Sequence, residues 1–592
     1  MLITNKSGCR PCGGIRFFFF LFVFLLSGAA NAVSLAQLND LAAGGAPQLA
    51  LALLDQQQPS WQEDADSWIR WERRRIQLLA TGNDWRSLRD RTAGLPADIP
   101  EKLSRWFATW HARALVELGD GAAARRILRN LLWQGGESNE IMDWRRLVIQ
   151  SYRADGLADD AYAAMLRYRQ DYGQGGAEDA LLSAQVLLAQ GRAADALEAM
   201  HGLTQIEAGP LRLLAQLRSD PEQAKTILQQ ARSLLEKKDL SRLIYQQAAA
   251  VAAEAAREAA DPAAQAIALE QVFSHLRQLP LDRELFKLNV DSLWDAYLTY
   301  AQNVGNREQL LIGDDAAWLA KAKEVGRRQP ILVRSIYVLL SLQAGSIISR
   351  QQAQAALLVD LAQQEGGLEL LHQLYLNSSR YPETSSLPEG VRRVLIDPAI
   401  AAGDLSLAAR LMDGLDEPSP GVDRVIWRLR QARLQLLDGE AAKAVSILEE
   451  MIAQSAALSR AELDRLIQVV FDLQTVGEHE LAYQLFASLQ VQLKDVQLKR
   501  ELWYWMADAR LAQDRPMDAA ALYLRSAMVP QPIAQDPWGQ TARYQAARAL
   551  AKAGLLADAR TLYERLLSAT EDPGRRAVLR RELQELLLVS KP

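Results

Sequence analysis

The sequence predicts an all-α protein, a solenoid built from antiparallel helix pairs. After residue 32, apolar residues recur at spacings of three and four, which is the period of an amphipathic helix. Runs with β-branched alternation are scarce, and the stretches between helical segments are short and carry Gly, Pro or Asp. A local pattern also recurs every 35 to 40 residues, which is typical of stacked helical hairpins.

Composition and charge exclude several other classes of protein. The chain has 592 residues with 67 Lys and Arg against 72 Asp and Glu, and only 23% of its residues are charged, so a disordered polyampholyte is not expected. A net charge of −5 lacks the basic excess of a nucleic-acid-binding protein, and we expect no nucleic-acid partner. Only 2 Cys exclude a disulfide-built scaffold and a Cys-rich zinc or iron–sulfur protein.

Residues 1–32 are predicted to be a secretory signal peptide. Positive charges come first, from Lys6, Arg10 and Arg16, and Phe17–Leu26 follows as an unbroken apolar core. An A-x-A cleavage pattern then ends at Ala32. The apolar core is too short to span a bilayer, which takes about 20 residues. An uncleaved anchor is the alternative.

Cleavage would start the mature chain near Val33 and remove both cysteines, Cys9 and Cys12. Lipidation is not expected, because a lipoprotein carries its Cys directly after the apolar core. No later segment has the length of a membrane span; Ile331–Ala344 comes nearest and contains Arg334. The signal resembles a bacterial Sec signal, which predicts the periplasm of a Gram-negative cell, with secretion beyond it as the alternative.

Residues 33–95 are predicted to form two or three N-terminal capping helices. Their amphipathic runs are marked by Ala50–Asp55, Trp68–Ala80 and Trp85–Arg91.

The repeating pattern occupies residues 96–206 and 391–592. Each copy has a glycine, an alanine five residues later and a bulky residue nine residues later. The seven glycines are Gly119, Gly156, Gly191, Gly403, Gly439, Gly477 and Gly554. An eighth copy has Asp514 in the glycine position, followed by Ala519 and Tyr523. We expect the glycine to end one helix, the alanine to allow close helix approach, and the bulky residue to fill the gap to the next repeat.

This pattern resembles the tetratricopeptide-repeat (TPR) superfamily, whose helix–turn–helix unit has Gly at the turn, Ala early in the second helix and a large residue four later. Matching segments include Ala112–Leu132, Ile149–Tyr168 and Ala432–Met451. The repeats are divergent, because their spacing exceeds the family's and the small residue in the first helix is Ala, Ile or Val. The resemblance covers roughly half of the chain and implies a right-handed superhelix, but it hardly specifies function.

Residues 207–390 are predicted to be helical without the repeating pattern. Their helices look longer, as in Leu240–Ala259 and Asp291–Val304. We expect helix pairs of irregular length that continue the superhelix, with a separate helical domain as the alternative.

The sequence contains no constellation for catalysis, metal binding or a cofactor. The 5 His are too far apart for a metal motif, and P-loop, dinucleotide-binding and nucleophile-elbow motifs are missing. Glu137-Ser138 resembles the catalytic pair of lytic transglycosylases, but the Gly-Leu-Met-Gln signature of that family does not follow it. We therefore predict a protein that is not an enzyme and uses no cofactor.

Tryptophans are concentrated in the first third of the predicted mature chain. Of 14 Trp, eight fall in one stretch: Trp61, Trp68, Trp71, Trp85, Trp106, Trp110, Trp133 and Trp144. Core packing between large helix contacts is one explanation. The other is an aromatic platform for a sugar chain or a peptide, since Trp is enriched where proteins bind.

The TPR resemblance implies a binding groove, because that family lines its concave face with the first helix of each pair. Counting back thirteen, ten, six and three residues from each turn residue gives the corresponding positions. The partner-binding residues that we predict are Trp106, Arg113, Arg146, Gln150, Arg153, Arg433, Tyr504, Asp508 and Arg548. The arginines suit a carboxylate-bearing peptide or an anionic polymer; ordinary solvated side chains are the alternative.

Together these features predict a non-enzymatic periplasmic scaffold that mediates protein–protein interaction in cell-envelope assembly or export. The expected partner is a protein or peptide of the cell envelope. The alternative is a glycan-binding module for peptidoglycan or an exported polysaccharide. We expect no membrane span in the mature chain.

Overall fold

A computed structural model describes residues 35–589, except residues 97, 174, 238–239, 276–280, 283–284, 306–313, 420 and 531–535. The predicted signal peptide, 1–32, lies outside the described residues. Across the described part all regular structure is helical, with 30 α-helices and no strand, so the all-α prediction is confirmed. The helices divide into two compact units, the first ending at Gln190 and the second beginning at Gly191.

The first unit contains nine helices over its described residues. Their bounds are α1 Leu35–Ala43, α2 Pro47–Gln57, α3 Ala65–Thr81, α4 Trp85–Ala93, α5 Glu101–Glu117, α6 Gly121–Gln134, α7 Ser138–Ala154, α8 Ala158–Tyr172 and α9 Ala177–Ala189. The segment expected to hold two or three capping helices therefore holds four, because α1 and α2 are separated by a turn of only three residues.

The second unit contains 21 helices over its described residues, and 207–390 belongs to the same unit as 391–592. Their bounds are α10 Ala193–Ala199, α11 Ala208–Ser219, α12 Ala224–Leu235, α13 Arg242–Glu258, α14 Pro262–Phe273, α15 Asp291–Val304, α16 Asp315–Val325, α17 Pro330–Gln343, α18 Ile347–Gln363, α19 Gly367–Leu376, α20 Glu389–Ala401, α21 Leu405–Met412, α22 Arg424–Leu437, α23 Ala441–Ala453, α24 Arg460–Thr475, α25 His479–Gln492, α26 Val496–Ala512, α27 Pro516–Met528, α28 Pro537–Lys552, α29 Leu556–Ala569 and α30 Pro573–Val589.

The turn residues adopt the conformation that the repeating pattern predicts. All seven pattern glycines have a positive φ, between 70° and 92°, and Asp514 in the eighth copy has a φ of 57°. This left-handed region favours glycine, since it brings the Cβ of any other residue close to backbone atoms. The short turn reverses the chain, so the two helices of a pair are antiparallel neighbours.

The alanine and the bulky residue of each copy are fully buried. All eight plus-five alanines have no exposed surface, and the eight plus-nine residues are at most 1% exposed. In the second unit, the copies at Gly439 and Gly477 contribute Ala444, Leu448, Ala482 and Phe486 to one hydrophobic cluster. The helix crossing and the gap between repeats are thus filled as predicted.

Two further turns have the same geometry without glycine. Asn83 and Ala260 have φ of 55° and 56°. After Asn83, the N–H of Asp84 donates to the carbonyl of Leu79, the same six-residue bond that closes the pattern turns. The sequence search missed the pairs α3–α4 and α13–α14 because these positions lack both the glycine and the plus-five alanine.

Most contacts within each unit join helices close in sequence, and in the second unit α19 also packs on α14 and α15. In the first unit, α5 packs on α6 and also on α7; in the second, α22 packs on α23 and also on α24. This neighbour and next-neighbour packing is the arrangement of an α-solenoid, so the prediction of stacked helix pairs is confirmed. Several first helices, α5 and α26 among them, keep a partly exposed face that carries candidate binding residues, whereas Ala248–Ala256 of α13 are all buried.

Candidate binding surfaces

In the first unit, two arginines and two tryptophans lie in one row, which we call the tryptophan–arginine ladder. Its members are Arg73 on α3 and Trp106, Trp110 and Arg113 on α5. The guanidinium of Arg73 lies 5.7 Å from the centre of the Trp106 ring, and that of Arg113 lies 4.9 Å from Trp110. The two indole rings are 6.1 Å apart and meet edge to face. Both distances to the cations are within the range of cation–π attraction.

The two arginines of the ladder carry positive charge without an ion pair among the described residues. Within the described residues, neither Arg73 nor Arg113 forms an ion pair, and Arg73 is exposed while both indoles are half-buried. Glu117 follows on α5; desolvation raises the pKa of its carboxyl, against the charges of Arg113 and Arg153.

The predicted binding residues on α7 differ in the contacts that their side chains make. Arg153 is half-buried and donates from Nη1 to Oε1 of Gln185 on α9, at 2.6 Å. Gln150 lies one turn before it and is also half-buried. Arg146 instead forms a two-bond ion pair with Asp179 on α9, at 2.6 and 3.1 Å. Arg146 therefore links two helices, and the pKa of its guanidinium is raised chiefly by this hydrogen bonding.

The tryptophan cluster has more than one role. Trp68 and Trp144 are buried, and the indole N–H of Trp144 donates to the hydroxyl of Thr109 at 2.7 Å. Trp61 packs edge to face on Trp68 at 5.3 Å. These residues belong to the core, which agrees with the core-packing explanation. Trp133, by contrast, is 91% exposed on α6.

In the second unit, four predicted or pattern residues converge on what we call the tyrosine notch. Tyr504 and Asp508 lie on α26, Tyr523 on α27 and Arg548 on α28. The rings of Tyr504 and Tyr523 are 5.2 Å apart, and the hydroxyl of Tyr523 donates to Oδ1 of Asp508. Arg548 is exposed and lies close enough to act electrostatically on both tyrosine hydroxyls.

Burial shifts the titration of these groups. Desolvation raises the pKa of Asp508 to about 6, and the hydrogen bond from Tyr523 only partly opposes this. Desolvation together with the nearby Asp508 charge raises the pKa of Tyr504 to about 12. Both side chains are only partly buried, so they remain accessible from outside.

Two further tyrosine hydroxyls in the second unit are already hydrogen-bonded. The hydroxyls of Tyr544 and Tyr563 donate to the two carboxylate oxygens of Glu582, at 3.0 and 3.2 Å.

Arg433 on α22, another predicted binding residue, pairs with Asp472 on α24 through a 2.6 Å contact and joins the two helices. Its charge is therefore neutralised although its side chain is 47% exposed.

A cleft of about 580 Å³ is lined by residues of α14 and α17 in the second unit. At its base, Arg334 pairs with Glu270 through contacts of 2.8 and 2.7 Å, and the hydroxyl of Tyr297 donates to Glu270 at 2.5 Å. Desolvation raises the pKa of Glu270 although Arg334 and Tyr297 oppose it. Since Glu270 is engaged by both partners, the arrangement cross-links helices. In the described part of the chain, no group of three His, Cys, Asp or Glu side chains is placed to hold a metal.

Sequence reasoning missed Arg73 and the polar role of Tyr523. Arg73 stands ten residues before Asn83, which is a groove position once Asn83 is recognised as a turn residue. Tyr523 was expected only to fill a gap; its ring does so, and its hydroxyl also reaches Asp508. Residue spacing alone does not reveal the direction of that hydroxyl.

Comparison with known proteins gives little further guidance. No protein-family model matches the chain, and no curated protein matches it. Similar solved structures include the APC/C hetero-tetramer Cut9–Hcn1 (TM-score 0.28, 11% identity, 94% of this chain and 97% of that chain). Yeast Tom70 has a TM-score of 0.23 at 9% identity, with coverages of 83% and 96%. Among the described helices, none has the length and apolarity needed to cross a membrane.

Proposed function

We propose that the protein is a non-enzymatic scaffold that holds a protein partner on the partly exposed faces of first helices such as α5 and α26. The tryptophan–arginine ladder carries the proposal: two guanidinium groups without ion pairs among the described residues flank two accessible indole rings. Trp and Arg are the residues that most often dominate the energy of protein interfaces. Guanidinium groups also bind carboxylates in two-bond pairs, so the ladder suits an acidic protein segment.

The setting of this scaffold is proposed from the N-terminal sequence. The basic start, apolar core and A-x-A pattern support export to the periplasm and a role in cell-envelope assembly or export. Fractionation of the native host, followed by N-terminal sequencing of the purified protein, tests this. A mature chain that begins near Val33 in the periplasmic fraction supports the proposal, and a cytoplasmic chain that begins at Met1 contradicts it.

The binding proposal is tested by reversing the charge of the ladder. Full-length protein carrying Arg73→Glu and Arg113→Glu is compared with wild type in pull-downs from envelope extract. We expect a partner recovered in a fixed ratio by wild type and at least tenfold less by the variant, because the charge contact becomes repulsive.

A matched control changes two arginines in the same unit. Arg126→Glu with Arg129→Glu alters the same charge on α6, the second helix of its pair, where both side chains are exposed. This control should retain the partner, and circular dichroism should show equal helix content in all three proteins. Equal loss of the partner in both variants would contradict a specific role for the ladder.

A second candidate function is glycan binding, favoured by the accessible Trp106 and Trp110 rings. Sugar rings stack on such aromatic faces, and binding would alter indole fluorescence. Titration with peptidoglycan fragments up to millimolar concentration, in a Trp133→Phe background that removes the exposed indole, tests it. Unchanged fluorescence would exclude this candidate.

A further inference from the structure

The carboxylate of Asp508 lacks the cation that four of the five buried carboxylates among the described residues have. Glu72, Asp179, Glu254 and Glu270 each pair with an arginine. The fifth, Asp315, accepts instead from the backbone N–H groups of Gly345 and Ser346. Asp508 is partly buried, accepts one hydrogen bond from Tyr523, and forms no ion pair within the described residues. A desolvated carboxylate without a cation lowers the stability of the fold. The ionised carboxylate of Asp508 therefore destabilises the folded protein.

Aromatic rings cluster around Tyr504, close to the carboxylate of Asp508. Tyr504 precedes Asp508 by one helical turn, and its ring lies 5.2 Å from those of Trp505 and Tyr523 and 5.3 Å from that of Trp538. Ring faces attract ammonium and guanidinium groups, most strongly where water is partly excluded. The notch thus offers both a carboxylate and aromatic surface to a basic side chain.

Arg548 on α28 lies near the same two tyrosines and acts electrostatically on both hydroxyls. Its guanidinium is exposed and donates to Oε1 of Gln545 at 3.3 Å, and it has no ion pair within the described part of the chain. Asp508 and Arg548 therefore place opposite charges near the same pair of tyrosines, Tyr504 and Tyr523. A ligand segment that carries a basic and an acidic side chain close together would neutralise both.

We propose that the tyrosine notch binds a basic side chain of a protein segment at Asp508, with an acidic side chain of the same segment at Arg548. This inference rests on the proposed function in one respect, that the partner is a protein. The notch would be a second binding site, and its chemistry differs from that of the tryptophan–arginine ladder. The ladder selects acidic groups, and the notch adds a requirement for a Lys or Arg.

Peptide selection on the full-length protein tests the proposal without a known partner. A phage-displayed library of random dodecapeptides is selected on immobilised wild type, on Asp508→Asn and on Asp558→Asn at neutral pH. Asp508→Asn keeps an oxygen that accepts from Tyr523 but removes the charge. Asp558→Asn is the matched control, because Asp558 is an exposed acid on α29.

We expect wild type and Asp558→Asn to enrich peptides with a Lys or Arg near an Asp or Glu. Asp508→Asn should lose the enrichment of the basic residue, and a selected peptide should bind it at least tenfold more weakly. Arg548→Gln should lose the enrichment of the acidic residue instead. Equal enrichment of basic residues on wild type and Asp508→Asn would overturn the proposal.

The outcomes separate this inference from the proposed function. Peptides that depend on Arg73 and Arg113 but not on Asp508 would leave the scaffold proposal standing and overturn the notch. Failure to enrich any peptide on wild type would count against both. Enrichment of uncharged aromatic peptides that bind all variants equally would also overturn the notch, since hydrophobic contact alone would then explain binding.

Discussion

At the scale of single residues, the chain distinguishes charges that build the fold from charges left available. Arg146 and Arg433 were both predicted to bind a partner, yet each is paired with an aspartate on a neighbouring first helix. Arg113 and Arg548 occupy equivalent groove positions without such a pair in the described structure. A sequence pattern gives the face on which an arginine lies. Whether it is neutralised depends on a side chain some 30 residues away, which the pattern does not specify.

The raised pKa of Asp508 predicts a pH-dependent stability. Its folded-state pKa of about 6 exceeds its ordinary value of 3.8, so the folded protein takes up this proton more readily than the unfolded chain. Ionised Asp508 therefore destabilises the fold above pH 6, and this penalty disappears as the pH falls toward 4. The groups that face it are Tyr504 on α26, Tyr523 on α27 and, beyond them, Arg548 on α28.

Urea unfolding of wild type and Asp508→Asn at several pH values measures this effect. Asp508→Asn should be more stable than wild type at pH 8, and the difference should shrink to nothing near pH 4. A difference that stays constant between these values would show that Asp508 titrates normally.

Replacing the buried polar side chain of Gln246 with an apolar one should raise the free energy of unfolding. The side chain is 1% exposed on α13, and among the described residues neither its amide nitrogen nor its oxygen has a hydrogen-bond partner. Gln246→Leu should raise the free energy of unfolding by about 1–2 kcal/mol, because it removes two unpaired polar atoms while keeping the volume. Thermal or urea unfolding measures it.

Gln431 is the matched control for this substitution. It is equally buried, donates to the carbonyl of Met412 at 3.2 Å and accepts from Arg428 at 2.7 Å. Gln431→Leu should destabilise the protein, since it leaves Arg428 with an unmatched donor. Destabilisation by both substitutions would mean that Gln246 is hydrogen-bonded after all.

At the scale of helix pairs, the glycine turn determines where the first helix ends and the second begins. Gly477 has a φ of 92°, and no heavy atom would meet a Cβ added there within 4 Å. Gly477→Ala should therefore cost about 1–2 kcal/mol through backbone strain alone. Gly209, inside α11, makes the contrasting control: Gly209→Ala meets only an ordinary contact at 3.5 Å and should be neutral or stabilising by up to about 1 kcal/mol. Urea unfolding of both variants checks the predicted difference in sign.

The helix pairs also show why some of the architecture could be predicted and some could not. Glycine, alanine and a bulky residue at fixed spacing identified eight pairs, because each residue type meets a separate steric demand. The pairs with Asn83 and Ala260 escaped, since a strained turn can be tolerated when surrounding packing holds it. Only part of the ladder could be predicted, for the same reason. The groove positions Trp106 and Arg113 are counted back from Gly119, whereas Arg73 is counted back from Asn83, a turn that the glycine pattern does not identify.

At the scale of the whole array, contacts between helices near in sequence predict that stability is local. In the second unit, α24 and α25 pack on their neighbours up to α26, whereas α11–α13 pack on one another. Repeat arrays of this kind are stabilised by the sum of interfaces between neighbours.

Ala482 is fully buried at a helix crossing, so Ala482→Leu should overpack that interface at a cost of about 1–3 kcal/mol. Hydrogen-exchange mass spectrometry should then show faster amide exchange in α24–α26 and unchanged exchange in α11–α13. Uniformly faster exchange in both regions would show instead that the unit opens as one cooperative body, and that distant repeats depend on every interface between them.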